Sequence, residues 1–141
     1  MPELSRILVV DDEPTILQFV DRVLRDAGYV PTLAGSGPQA LEAAKPGVFD
    51  LLLTDVAMPE MSGDELARQL RVIEPHLKVL YLTGYADRLF KEKITLWEDE
   101  AFLEKPCSVT GLLEAVALLV HGGFRRAATG AAIAPRLGNT F

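Results

Sequence analysis

A chain of 141 residues, 49% hydrophobic and 24% charged, has the size and composition of one globular domain with a core of its own. Fourteen basic against twenty acidic residues leave a net charge of −6, the wrong balance for gripping a phosphate backbone, so nucleic acid is not an expected partner. The single cysteine, Cys107, excludes an intrachain disulfide and a thiolate zinc cage, and no stretch approaches the ~18 uninterrupted apolar residues of a membrane span, which points to a soluble, cytoplasmic protein.

Ile7 to Val10 is a short, β-branched apolar run stopped by Asp11-Asp12, the pattern of a strand buried on both faces. Beyond Pro14, apolar residues at Ile16, Val20, Val23, Leu24 and Ala27 predict an amphipathic helix closed by Gly28. Val30 to Ala34 predicts a second strand, Gly35 to Gly37 a turn, and Pro38 to Lys45 a helix with Pro38 in its first turn. Leu51 to Thr54 is a third strand, again ending on an acid, Asp55, and Met58 to Gly63 reads as a loop. The next helix carries Leu66, Leu70 and Ile73 on one stripe and stops before Pro75; Val79 to Thr83 is the fourth strand. Ala86 to Leu96 predicts a helix and Ala101 to Lys105 a fifth strand. The spacing Leu112, Val116, Leu119, Val120 predicts a last helix starting near Ser108. Gly122 to Phe141, rich in Ala and Gly, has Arg125, Arg126 and Arg136 but no acid; it reads as a basic tail on a domain of residues 1–121, which alone carries −9.

Strands alternating with helices through short loops predict an α/β domain, a mostly parallel, doubly wound sheet with helices on both faces. Ligands of such sheets sit beyond the carboxyl ends of the strands. Those ends deliver Asp11 and Asp12, Asp55, Thr83 and Lys105 to one edge. If the first and third strands are neighbours, three carboxylates crowd together and repel, and a cation must relieve them. Oxygen donors without His or Cys point to Mg²⁺, which commonly binds one or two carboxylates and a phosphate oxygen. Asp55 would then be an oxygen nucleophile needing no deprotonation, with Mg²⁺ and Lys105 offsetting its repulsion from a phosphoryl group.

The segments VVDDEP at 9–14, LLLTDVAMPEMSG at 51–63, LTGY at 82–85 and FLEKP at 102–106 resemble a response-regulator receiver domain of two-component signalling, chemotaxis-regulator-like, from Arg6 to Val120. The resemblance implies a flavodoxin-like, five-stranded parallel sheet of order 2-1-3-4-5. It makes Asp55 the phosphoacceptor and a metal contact, Asp12 a direct Mg²⁺ ligand, Asp11 a ligand largely through water, and the Ala57 carbonyl a further metal contact. Lys105 and Thr83 would hold phosphoryl oxygens. Phe102, three residues before the lysine, would swing into space that Thr83 vacates, without the hydroxyl of the more familiar Tyr. The Lys105–Pro106 bond is usually cis in this family. The implied donor is a phosphohistidine on a sensor histidine kinase or histidine phosphotransfer protein. An output protein would read the face made by the helix at 86–96, the fifth strand and the last helix, which is also a candidate homodimer surface. The only catalysis implied is that of its own phosphorylation and dephosphorylation. Ala57, two residues after the acceptor, and Tyr85, two after Thr83, modulate the site: no polar side chain for the attacking water, and bulk over the acyl phosphate, predict slow self-hydrolysis.

Two other classes use similar parts. A haloacid-dehalogenase-like phosphatase also has an Asp nucleophile and Mg²⁺, but on its first strand, where Asp11-Asp12-Glu13-Pro14-Thr15 is an imperfect match. A pseudo-receiver would only bind partners, and the complete Asp, Asp, Asp, Thr, Lys set argues against it. Taken singly, Asp11 and Asp12 are ordinary acids before a helix, Thr83 an ordinary strand residue, Lys105 a surface charge and Phe102 a core aromatic. Their convergence on one sheet edge carries the functional reading. Gly63 reads as a backbone requirement, and His76 and His121 have no assigned role.

Overall fold

The computed structural model describes residues 5–45, 47–84, 99–105 and 107–121. In chain order these form β1 (Arg6–Val10), α1 (Pro14–Asp26), β2 (Val30–Ala34), α2 (Gly37–Ala44), β3 (Leu51–Asp55), α3 (Gly63–Ile73), β4 (Lys78–Thr83), β5 (Glu100–Glu104) and α4 (Val109–His121). The helix expected over 86–96, Tyr85, Pro106 and the tail at 122–141 lie outside the described residues.

All four strand pairings are parallel and the order is β2-β1-β3-β4-β5, as expected. Parallel strands covered on both faces call for near-continuous apolar residues, which is why Ile7–Val10 of β1 and Leu51–Leu53 of β3 read as unbroken runs. Successive side chains alternate faces. Ile7, Val9, Leu51, Leu53, Leu80, Leu82 and Leu103 pack with Val20 and Leu24 of α1 and Leu112, Val116 and Leu119 of α4. Leu8, Val10, Leu52, Val79 and Tyr81 pack on the other face with Ala40 of α2 and Leu66, Ala67 and Leu70 of α3.

The helix starts follow local chemistry. Pro14 and Pro38 sit in first turns, where a missing N–H is harmless. Ser36 and Ser62 accept from the backbone N–H of Gln39 and Glu65, and Ser108 accepts from Gly111 N at 2.9 Å. Gly28 ends the first helical segment with φ 96°, a conformation a side chain would strain.

Several expectations need correction. Ile73 is 73% exposed: in the last turn of α3, Arg71 reaches inward instead, its Nε and Nη2 donating to the Leu77 carbonyl at 3.0 and 2.8 Å. Ala27 is exposed, because α1 stops at Asp26 and Ala27 is its C-cap. The first strand begins one residue earlier than expected, at Arg6, and the fifth runs from Glu100 to Glu104, so Lys105 follows the strand rather than ending it.

Candidate functional site

β1 and β3 are direct neighbours, with Val10 opposite Thr54, so their carboxyl ends bring Asp11, Asp12 and Asp55 together. One carboxylate oxygen from each lies within 4.8 Å of the others. Asp11 and Asp55 are buried, and Asp12 is exposed at the rim. From beyond β5, the Lys105 ammonium reaches Asp11 Oδ2 at 3.1 Å and Asp55 Oδ1 at 3.3 Å. Its backbone N–H donates to the Thr83 carbonyl at 2.8 Å, so the lysine is tied to the end of β4, where Thr83 is buried. Groups distant in sequence thus meet at one sheet edge.

Asp11 does two jobs. Its Oδ1 accepts from Glu13 N at 2.9 Å and shapes the turn into α1, where Glu13 at the N-cap position contributes no side-chain cap. Its Oδ2 is buried, makes no well-formed hydrogen bond among the described residues, and faces the Lys105 ammonium. Asp11 thus turns the chain toward α1 without capping the helix, and its other oxygen joins the charged cluster.

The electrostatics follow from burial. Loss of solvent raises the Asp55 carboxyl to about 6, with repulsion from Asp11 adding to the effect and Lys105 opposing it. Burial likewise raises Asp11, against the Glu13 N–H and Lys105. Burial alone would lower Lys105, but the two carboxylates outweigh it and hold the ammonium above its ordinary value. Three carboxylates gather around a single lysine among the described residues, so the pocket is short of positive charge. Three carboxylate oxygens within 4.8 Å, with one lysine against two of those groups and no nitrogen or sulfur donor in the cluster, fit a small hard divalent ion such as Mg²⁺.

Next to this pocket the 56–62 loop folds back, with Gly63 N donating to the Val56 carbonyl at 2.8 Å. A Cβ on Gly63 would lie 2.1 Å from the Asp55 carbonyl oxygen, so glycine is required by close approach. Thr54 Oγ1 donates to the same carbonyl at 2.9 Å. Glu60 has φ 71°, a left-handed turn that its residue type gave no reason to expect. Ala57 is exposed just after β3. Phe102 is half-buried and set edge-on to Tyr81, centroids 5.5 Å apart at 72°. Tyr81 in that contact, and the Arg71–Glu100 pair that its hydroxyl meets, carried no signal in the sequence.

Fold and site together define a doubly wound α/β domain built around an acidic pocket of the kind that suits a phosphoacceptor. Residues 7–117 match the family model of the response regulator receiver domain, and the chain belongs to that family, the receiver domains of two-component systems. It is 35% identical over 113 residues to the response regulator receiver protein CpdR of Brucella abortus (strain 2308), covering 80% of this chain and 94% of that protein. It is 36% identical over 114 residues to the sensor kinase CckA of the same organism, covering 79% of this chain but only 12% of that protein. Among solved structures, the response regulator TrrA from Thermotoga maritima in complex with Mg²⁺–BeF superimposes with a TM-score of 0.72 at 34% identity, over 82% of this chain and 99% of that one. Membership answers the alternative of a haloacid-dehalogenase-like phosphatase. Among the described residues no helix is long and apolar enough to cross a membrane.

Proposed function

We propose that Asp55 accepts a phosphoryl group from a phosphohistidine on a sensor histidine kinase or histidine phosphotransfer protein. A carboxylate oxygen of Asp55 attacks phosphorus, the O–P bond forms as the N–P bond breaks, and the departing imidazole takes up a proton. The observation that carries this reading is the meeting of Asp11, Asp12 and Asp55 within 4.8 Å, with the Lys105 ammonium 3.1 and 3.3 Å from Asp11 and Asp55. Lys105 offsets charge on the incoming oxygens, and the Thr83 hydroxyl donates to one of them. Asp11, Asp12, Asp55 and the Ala57 carbonyl would hold Mg²⁺, which supplies positive charge to the transferring group. The Mg²⁺–BeF complex of the related TrrA supports the same assignment.

Phosphorylation adds roughly −1.5 to −2 charges and three acceptor oxygens, enough to draw Thr83 inward and let Phe102 follow. The face containing β5 and α4 then presents the altered state to an output protein, or to a second copy of the chain. The protein is in this reading a cytoplasmic signalling receiver of residues 1–121 with a basic tail, catalysing only its own modification. The test is incubation with Mg²⁺ and acetyl phosphate followed by intact mass. Uptake of one phosphoryl group by the unmodified chain and none by Asp55→Asn is expected. Equal labelling of both, or none of either, overturns the assignment, and the second outcome favours a receiver that only binds.

A further inference from the structure

Below the switch position lies a polar cluster that the chemistry at Asp55 does not use. On the α3-facing side of the sheet, β4 and β5 pair Val79 with Glu100, Tyr81 with Phe102 and Thr83 with Glu104. Glu100 carries a carboxylate only 10% exposed, which burial makes costly without a partner. The partner is Arg71 of α3, whose Nη1 donates to Glu100 Oε2 at 2.7 Å while its other nitrogens donate to the Leu77 carbonyl. The same Glu100 oxygen accepts from the Tyr81 hydroxyl at 3.5 Å, a long contact. The Tyr81 ring then meets Phe102 edge-on. Phe102 has no hydroxyl, so its ring is held by contacts of its face and edge. The hydroxyl it lacks stands on the neighbouring strand, anchored through Glu100 to α3.

We infer that Tyr81, anchored by the Arg71–Glu100 pair, is a positioning residue for Phe102 and sets how readily the Thr83–Phe102 switch responds to a phosphoryl group on Asp55. This rests on the phosphoacceptor reading above. The anchored ring forms one wall against which Phe102 is held when Asp55 is unmodified. Releasing it favours the other arrangement, and whatever favours that arrangement tightens binding of a phosphoryl mimic at Asp55.

The experiment measures affinity of the full chain for beryllofluoride in saturating Mg²⁺, by ¹⁹F NMR, alongside calorimetric affinity for Mg²⁺ alone. Tyr81→Phe keeps the ring and removes the anchor; beryllofluoride affinity is expected to rise about threefold, with Mg²⁺ affinity unchanged. In a Phe102→Ala background the same substitution is expected to have no effect, because nothing remains to be positioned. Glu100→Gln, which weakens the anchor from its other end, shifts affinity in the same direction and completes the test should Tyr81→Phe not fold. No change, or an equal change with and without Phe102, overturns the inference. Failure of the underlying reading looks different: the unmodified chain then binds no beryllofluoride, or Asp55→Asn binds it equally well.

Discussion

The sharpest prediction concerns the charge that the pocket keeps buried. Asp55 ordinarily would titrate at 3.8 and in the fold titrates at about 6, so the folded state holds that proton more tightly than the unfolded chain does. The stability tied to the protonated form is full below pH 4 and is lost as pH rises through 6. At pH 7 the metal-free ionised carboxylate therefore costs about 3 kcal/mol, since every tenfold difference in proton affinity between the two states is worth about 1.4 kcal/mol. The side chain is only 8% exposed, so solvent screening takes little from this figure. Asp55→Asn removes the charge and keeps the shape. The variant should be more stable than the unmodified chain by about 2–3 kcal/mol at pH 7 in a chelator, a rise in Tm of about 10 °C. Near pH 4 the gain should shrink to below about 1 kcal/mol. Urea melts at both pH values, followed by circular dichroism, measure it. A variant no more stable at pH 7, or a gain independent of pH, would refute the electrostatic account of the pocket.

Further consequences concern neighbouring positions. Gly63→Ala forces backbone away from the Asp55 carbonyl and should cost about 1–3 kcal/mol in urea melts while slowing acetyl phosphate labelling. Lys105→Met leaves Asp11 and Asp55 without their shared cation, so calorimetry should find tighter Mg²⁺ binding even as labelling falls at least about tenfold. Ala57→Asn gives the attacking water a polar neighbour and should shorten the lifetime of the phosphorylated chain several-fold after donor removal; an unchanged lifetime would remove Ala57 from the account of slow hydrolysis.

Much of the fold and the site is legible in the residues themselves. Continuous apolar runs at 7–10 and 51–53 are what two-sided burial demands, and an acid just beyond each run marks the carboxyl end of a parallel strand. Helix starts near Pro14, Pro38 and Ser108 are local chemistry and need no distant partner. Periodicity misjudged Ile73 because it records which residues share a stripe, not how far the sheet extends beneath the last turn, where Arg71 turns inward. The Glu60 backbone was equally silent, as any residue can be forced into a left-handed turn when the surrounding loop closes on Gly63.

What the order of residues determined on its own is the set of elements and the acids, threonine and lysine at their ends, since both arise from interactions between near neighbours and from the two-residue and 3.6-residue periods of backbone geometry. Which of those ends touch was decided only by the packed sheet. Pairing of β1 with β3 buries Asp55 beside Asp11 and raises it to about 6, and pairing of β4 with β5 sets Tyr81 against Phe102 and brings Glu100 to Arg71. Burial and distance are properties of chain segments brought together from far apart in sequence, and the free energy that fixes them belongs to the core as a whole.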